Sequence, residues 1–133
     1  MKNNLIILYI NSSNSGVCVI SISKNKKIFS LKNNILKHDR SNQIFDSIDK
    51  LLKKHNSQLS DIDAICVYSG PGAYTSLRVG VSIANSLAWF LDVPLFAIKK
   101  EKIFIDSIDH IMRQLDRQKV FNKCIDAYYQ QDI

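Results

Sequence analysis

The stretch Ala64–Ile98, reading AICVYSGPGAYTSLRVGVSIANSLAWFLDVPLFAI, constrains the fold more than any other part of the chain. Ala64–Tyr68 is a short apolar run bounded by turn residues, which predicts a strand. Gly70-Pro71-Gly72 follows. Glycine accepts positive φ and proline fixes φ, so the backbone turns sharply there. Thr75 or Ser76 then starts a helix reaching to about Leu91. Val93–Ile98 predicts another strand, with Pro94 tolerable near its start. Strand, helix and strand in so short a stretch imply a parallel pair joined by a right-handed crossover.

Upstream, the pattern changes. Leu5–Ile10 is a continuous apolar run, as in a strand buried on both faces. Asn11-Ser12-Ser13-Asn14-Ser15-Gly16 is a dense turn cluster. Val17–Ile22 alternates, with Val17, Val19 and Ser21 on one side and Cys18, Ile20 and Ile22 on the other. Lys24-Asn25-Lys26 is a tight turn, and Ile28, Phe29 and Leu31 supply a third strand. Short turns between three strands predict an antiparallel meander. Ser41 is placed to cap a helix. Ile44, Phe45, Ile48, Leu51 and Leu52 form its apolar stripe, which fades at His55-Asn56. Ile103 to about Leu115 predicts a last helix, with Ile105, Ile108, Ile111, Met112 and Leu115 on one face. Cys124–Tyr129 is compatible with a strand. The order β-β-β-α-β-α-β, then α, is the pattern of a ribonuclease H/actin-like (ASKHA) half-domain, an α/β fold on a mixed sheet. We expect that half-domain over residues 1–118, and over 119–133 a remnant of the start of a second one.

The helix after Gly-Pro-Gly has a ridge of small residues. Ser76, Gly80, Ala84 and Ala88 recur at i+4, where another helix can approach closely. Leu77, Val81, Leu87 and Leu91 lie near it, and Val79, Ile83 and Phe90 cover other sides. A helix this apolar is buried or sits at an interface. The chain's own sheet is one neighbour, and leftover apolar surface argues for a partner. The turn is not a phosphate loop: no Gly-Lys-Ser/Thr follows, and no third glycine completes a dinucleotide fingerprint.

Catalytic chemistry has little to stand on. His38, His55 and His110 are isolated, with no HxxxH or HxxE spacing, so a metal site is not expected. No Ser sits in a GxSxG elbow. Asp61 and Asp63 suit a solvated turn better than an acid/base pair. Cys18, Cys66 and Cys124 are far apart and odd in number, as expected of free thiols in a reducing compartment. Nothing has the form of a signal peptide or a membrane segment. A soluble, cytoplasmic protein is expected. The net charge of +6 suits an acidic partner such as RNA, or simply a solvated surface. The lysines fall in short groups, Lys24/Lys26/Lys27, Lys53/Lys54 and Lys99/Lys100/Lys102, with no aromatic-plus-basic pattern of a known RNA-binding module.

The stretch from Ala64 to Ile98 resembles the signature of the TsaB (YeaZ-like) family, Gly-Pro-Gly-Ser-Phe-Thr-Gly-Leu-Arg-Val-Gly followed by a small-residue helix. Gly70, Pro71, Gly72, Thr75, Leu77, Arg78, Val79 and Gly80 match it. Tyr74 replaces the Phe conservatively, and Ser76 replaces a Gly. The helix Ser41–His55, the approach Leu59–Ala64 and Ile125-Asp126-Ala127 are similar to the family as well. The resemblance implies a non-catalytic subunit that binds the related catalytic subunit TsaD, joined by the ATPase TsaE. Together these transfer a threonylcarbamoyl group to adenosine 37 of tRNA, with ATP used by the complex and no cofactor bound by this chain alone. It implies partner contact through the first two helices, and homodimers through the same kind of surface. We therefore expect interface residues Ile44, Phe45, Ile48, Leu52, Ser76, Leu77, Gly80, Ala84, Leu87 and Ala88. Gly70, Pro71, Gly72, Thr75 and Arg78 are expected to hold the turn.

Two departures stand out. The first strand ends in Asn11-Ser12-Ser13, where the family has an Asp-Thr-Ser-like turn. Asn11 is neutral and a poor Mg²⁺ ligand. Family members usually continue into a second half-domain, so a shortened chain is expected. The competing readings are an actin-like ATP-dependent enzyme or peptidase homologue acting alone, and an independent nucleic-acid-binding module suggested by charge.

Overall fold

The computed structural model describes residues 5–14, 16–34, 39–99 and 104–116. The elements follow the expected order: β1 (Ile6–Asn14), β2 (Val17–Lys24), β3 (Lys27–Asn34), α1 (Arg40–Lys54), β4 (Ala64–Gly70), α2 (Tyr74–Leu91), β5 (Leu95–Lys99) and α3 (Phe104–Asp116). A short 3-10 turn, Leu59–Asp61, precedes β4. The strand expected at Cys124–Tyr129, the segment 119–133 and the Ile125-Asp126-Ala127 match lie outside the described residues.

The sheet order is β3-β2-β1-β4-β5. β1, β2 and β3 pair antiparallel, whereas β1–β4 and β4–β5 are parallel, so the sheet is mixed. Asn25 and Lys26, at φ 55° and 65°, form the two-residue turn between β2 and β3. Two positive φ values give a turn whose twist matches that of the flanking strands.

The alternation of each strand divides the core. Ile6, Leu8, Ile10, Cys18, Ile20, Ile22, Ile65 and Val67 face α1 and α2. Ile7, Tyr9, Ala64, Cys66 and Ile98 face α3. β1 is thus buried on both faces, as its unbroken apolar run requires. Tyr9 stacks on Phe104, ring centroids 4.8 Å apart and planes 8° off parallel. The inward face of α3 is Phe104, Ile108 and Ile111 with Met112 and Leu115 beside them. Ile105, expected on that face, is 63% exposed. Phe104 is one residue earlier, and its ring fills the place over Tyr9.

Small polar groups lock the ends. Asp63 accepts the Ile6 N–H on its carboxylate at 2.8 Å, and its own N–H donates to Ile6 O at 2.8 Å, tying the start of β1 to the entry of β4. Asp61 Oδ2 accepts the Gln58 N–H at 2.9 Å, closing the 3-10 turn. α1 begins at Arg40 with Asp39 before it, so Ser41 lies inside the first turn rather than at the cap. No helix among the described residues is long and apolar enough to cross a membrane.

Candidate functional site

β1 and β4 run parallel at the centre of the sheet, and both end at the start of α2. In α/β sheets the crevice beyond the carboxyl ends of such strands is where ligands ordinarily bind. Here the end of β1 closes on the Gly-Pro-Gly turn and the start of α2. Asn11 Oδ1 accepts from the Ser13 N–H at 3.0 Å and the Ser13 hydroxyl at 2.7 Å. The Ala73 N–H donates to Ser13 O at 2.9 Å, and the Ser12 hydroxyl donates to Ser76 O at 2.7 Å. Across the turn, the Tyr68 hydroxyl donates to Pro71 O at 2.8 Å. Asn11, at the position of the Asp in the Asp-Thr-Ser-like turn that the resemblance implies, therefore shapes the irregular end of β1.

Three of the glycines act, in two different ways. Gly70, at φ 121°, needs a conformation that side chains rarely adopt, and the Gly70–Pro71 bond is cis. Gly72 is required by proximity: an added Cβ would come within 2.7 Å of Ser13 Cβ. Gly80 meets the same limit, since a Cβ there would run into the Ser12 hydroxyl and lie 3.0 Å from Ser12 Cβ. β1 thus approaches α2 at backbone distance over its first two turns.

This packing sets most of the expected interface residues against the chain's own elements. Ser76, Leu77, Gly80, Ala84, Leu87 and Ala88 are buried, on the side of α2 turned to β1 and β4. Ile44, Ile48 and Leu52 are buried as the inward stripe of α1. These side chains are covered by the chain's own sheet before any second protein arrives. Phe45 differs: it is 40% exposed. Of the residues assigned to the turn, Gly70, Pro71 and Gly72 form it. Thr75 and Arg78 follow it, exposed on the first turns of α2.

Those two belong to an open groove of about 580 Å³ between α1 and α2, where Phe45 faces Thr75, Arg78, Val79, Ser82 and Ser86. Ile83, which is buried, and Ser41 complete its lining. Nearer its C-terminal end the same helix exposes Trp89 at 83% and Phe90 at 74%. Two large aromatic side chains in water on adjacent residues are unusual for a monomer's surface. Val79, Ile83 and Phe90 lie off the ridge as expected, whereas Trp89 and the outer positions Ser82 and Ser86 were not anticipated, nor was Thr75 in such a row. Spacing of three and four residues would have shown that row, but it looks polar and therefore solvated.

The described cysteines are packing residues. Burial pushes the Cys18 thiol up to about 12 and raises Cys66 further, so both stay protonated at neutral pH.

The profile of the family described as "TsaD: tRNA N6-adenosine threonylcarbamoyltransferase" matches residues 34–110. The chain belongs to this family. Within it the chain is TsaB/YeaZ-like. It is 34% identical over 93 residues to the "tRNA threonylcarbamoyladenosine biosynthesis protein TsaB" of Buchnera aphidicola subsp. Schizaphis graminum, covering 70% of this chain and 43% of that protein. It is 39% identical over 84 residues to the "tRNA N6-adenosine threonylcarbamoyltransferase" of Brachyspira hyodysenteriae, covering 63% of this chain and 25% of that one. The solved structure "YeaZ from Pseudomonas aeruginosa" superposes with a TM-score of 0.67 at 24% identity, over 86% of this chain and 49% of that one, which establishes the shared fold. The chain therefore spans less than half the length of these TsaD-family relatives.

Proposed function

We propose that this chain is a non-catalytic scaffold subunit in tRNA threonylcarbamoyladenosine synthesis, and that it docks on a TsaD-type catalytic subunit through the outer faces of α1 and α2. The names of its relatives support the pathway. One observation carries the docking surface: Phe45 is exposed in the open groove, and Trp89 and Phe90 are exposed on α2 shortly after its last lining residue, Ser86. Apolar side chains grouped in this way bury against a partner at about 25 cal/mol per Å² of apolar surface removed from water. The small row Thr75, Ser82 and Ser86 lets a partner helix come close between the aromatics. Asn11 supports a scaffold role, since the end of β1 presents an amide engaged with Ser13 of the same strand. In this reading the work takes place in the cytoplasm. A TsaE-type ATPase joins the pair, ATP is used by the complex, and tRNA is reached through it. A second copy of the chain competes for the same face.

The test is co-purification with a TsaD-type subunit, followed by tRNA modification with and without this chain. Ser82→Arg fills the groove from an exposed position, so folding is retained while binding falls at least about tenfold, the loss of ~1.4 kcal/mol. Undiminished binding by Ser82→Arg removes the groove from the interface. Modification that proceeds equally without the chain ends the scaffold reading.

A further inference from the structure

At the far end of α1 from the groove, two lysine groups that are distant in the sequence come together. The Lys24 ammonium donates to His55 O at 2.9 Å and to the Ser57 hydroxyl at 3.3 Å. The Phe29 ring stacks on His55 with centroids 3.9 Å apart. These contacts pin the β2–β3 hairpin to the end of α1. Lys26 and Lys27 of the hairpin, and Lys50 and Lys54 of the helix, are exposed around that junction. Ser47, bonded to Asn33 of β3 at 3.1 Å, marks the side of α1 that faces the hairpin. At 100° per residue, Lys50 and Lys54 fall on that same side.

Among the described residues these four lysines form no ion pair, whereas Lys53 is held by Asp49 at 2.8 Å on the outer side of the helix. Lys50 and Lys54 are one turn apart, about 6 Å along the axis. Lys24 and Lys27 face each other across the hairpin. Lys50 and Lys54 thus lie within about a Debye length of each other at physiological salt, about 8 Å, as do the adjacent Lys26 and Lys27, and the charges within each pair reinforce one another. The dipole at the end of α1 accounts for a lysine at position 54. It does not account for Lys26, whose φ is 65° in a two-residue turn where glycine is the ordinary occupant. A cation stands there against the local backbone preference.

We propose that this junction of hairpin and helix end contacts the phosphate backbone of RNA directly, with Lys26, Lys27, Lys50 and Lys54 as its point charges. A polyanion suits four clustered ammonium groups held on rigid elements. A membrane surface fits poorly, because none of the large exposed apolar side chains, Phe45, Trp89, Phe90 and Ile105, belongs to this junction. The proposal rests on the reading that the chain works on tRNA. It gives the chain a contact of its own, separate from the groove, so that a docked partner leaves the lysines open.

The test is fluorescence anisotropy of labelled, unmodified tRNA titrated with the full chain across a sodium chloride series. Lys27→Glu/Lys54→Glu is compared with Lys32→Glu/Arg113→Glu, which changes net charge equally at exposed positions elsewhere. Lys24 is left intact because it holds the helix end. Matching thermal melts show that both variants fold; if the first does not, Lys27→Gln/Lys54→Gln replaces it. The junction variant is expected to bind at least about tenfold more weakly, with its salt slope reduced by roughly 1.5, close to the loss of two phosphate contacts. The other variant stays near wild type. Equal losses in both variants, or none in the first, overturn the proposal. So does tighter, junction-dependent binding to phosphatidylserine vesicles than to tRNA. Ser82→Arg separates the two readings: it breaks subunit docking and leaves tRNA binding unchanged.

Discussion

On the inner face of α2, Ser76, Gly80, Ala84 and Ala88 follow one another at i+4 and are buried against β1 and β4. On the outer face Thr75, Ser82 and Ser86, with Val79 between, follow a similar spacing beside an open groove. Both rows are small, and both permit close approach. The inner row is already filled, since Ser12 takes the space that a Cβ on Gly80 would need. The outer row is flanked by Phe45, Trp89 and Phe90 in solvent. A row of small residues therefore says that something comes near the helix; the surrounding side chains say whether it is the chain's own sheet or another molecule.

The largest way to break this comparison is Gly80→Leu. If the inner face is closed as described, the side chain displaces Ser12 and its bond to Ser76, and stability falls by at least about 3 kcal/mol in urea unfolding. A stably folded Gly80→Leu protein would mean that β1 does not lie against α2. A smaller effect sharpens the same point. Ser12→Ala removes only the hydroxyl that donates to Ser76 O, and costs about 1 kcal/mol in the same measurement. Smallest of all, Trp89→Ser changes stability by less than about 0.5 kcal/mol, since the ring packs on little of its own chain. A drop of several kcal/mol would show that Trp89 belongs to the core and would remove it from the docking face.

Much of the fold was legible. The unbroken run in β1, the alternation in β2, the stripe of α1 and the Gly-Pro-Gly turn led to the right elements in the right order. Errors gathered at ends, where one residue decides and periodicity is silent. β5 begins at Leu95 rather than Val93 because the Val93 N–H is taken by Ala88 O at the end of α2. On α3 Phe104 rather than Ile105 joins the inward face, one turn before Ile108, and its ring stacks on Tyr9. The candidate site was less legible. Its aromatic rim was present in the sequence, but a helix apolar nearly all round does not show which apolar side meets the sheet.

By itself the sequence determined the periods: two for the meander, three to four for the helices, and a sharp turn where glycine and proline leave the backbone few choices. It also determined that Gly80 and its neighbours must touch something at backbone distance, because the absence of side-chain volume is a local property. Only the tertiary structure decided what they touch. The choice between sheet and partner depends on the register of β1 under α2, which no local pattern encodes. The same holds for the lysines. Lys26 and Lys27 form one group in the chain and Lys50 and Lys54 lie in another. They share one surface because Lys24 reaches His55 O across the junction.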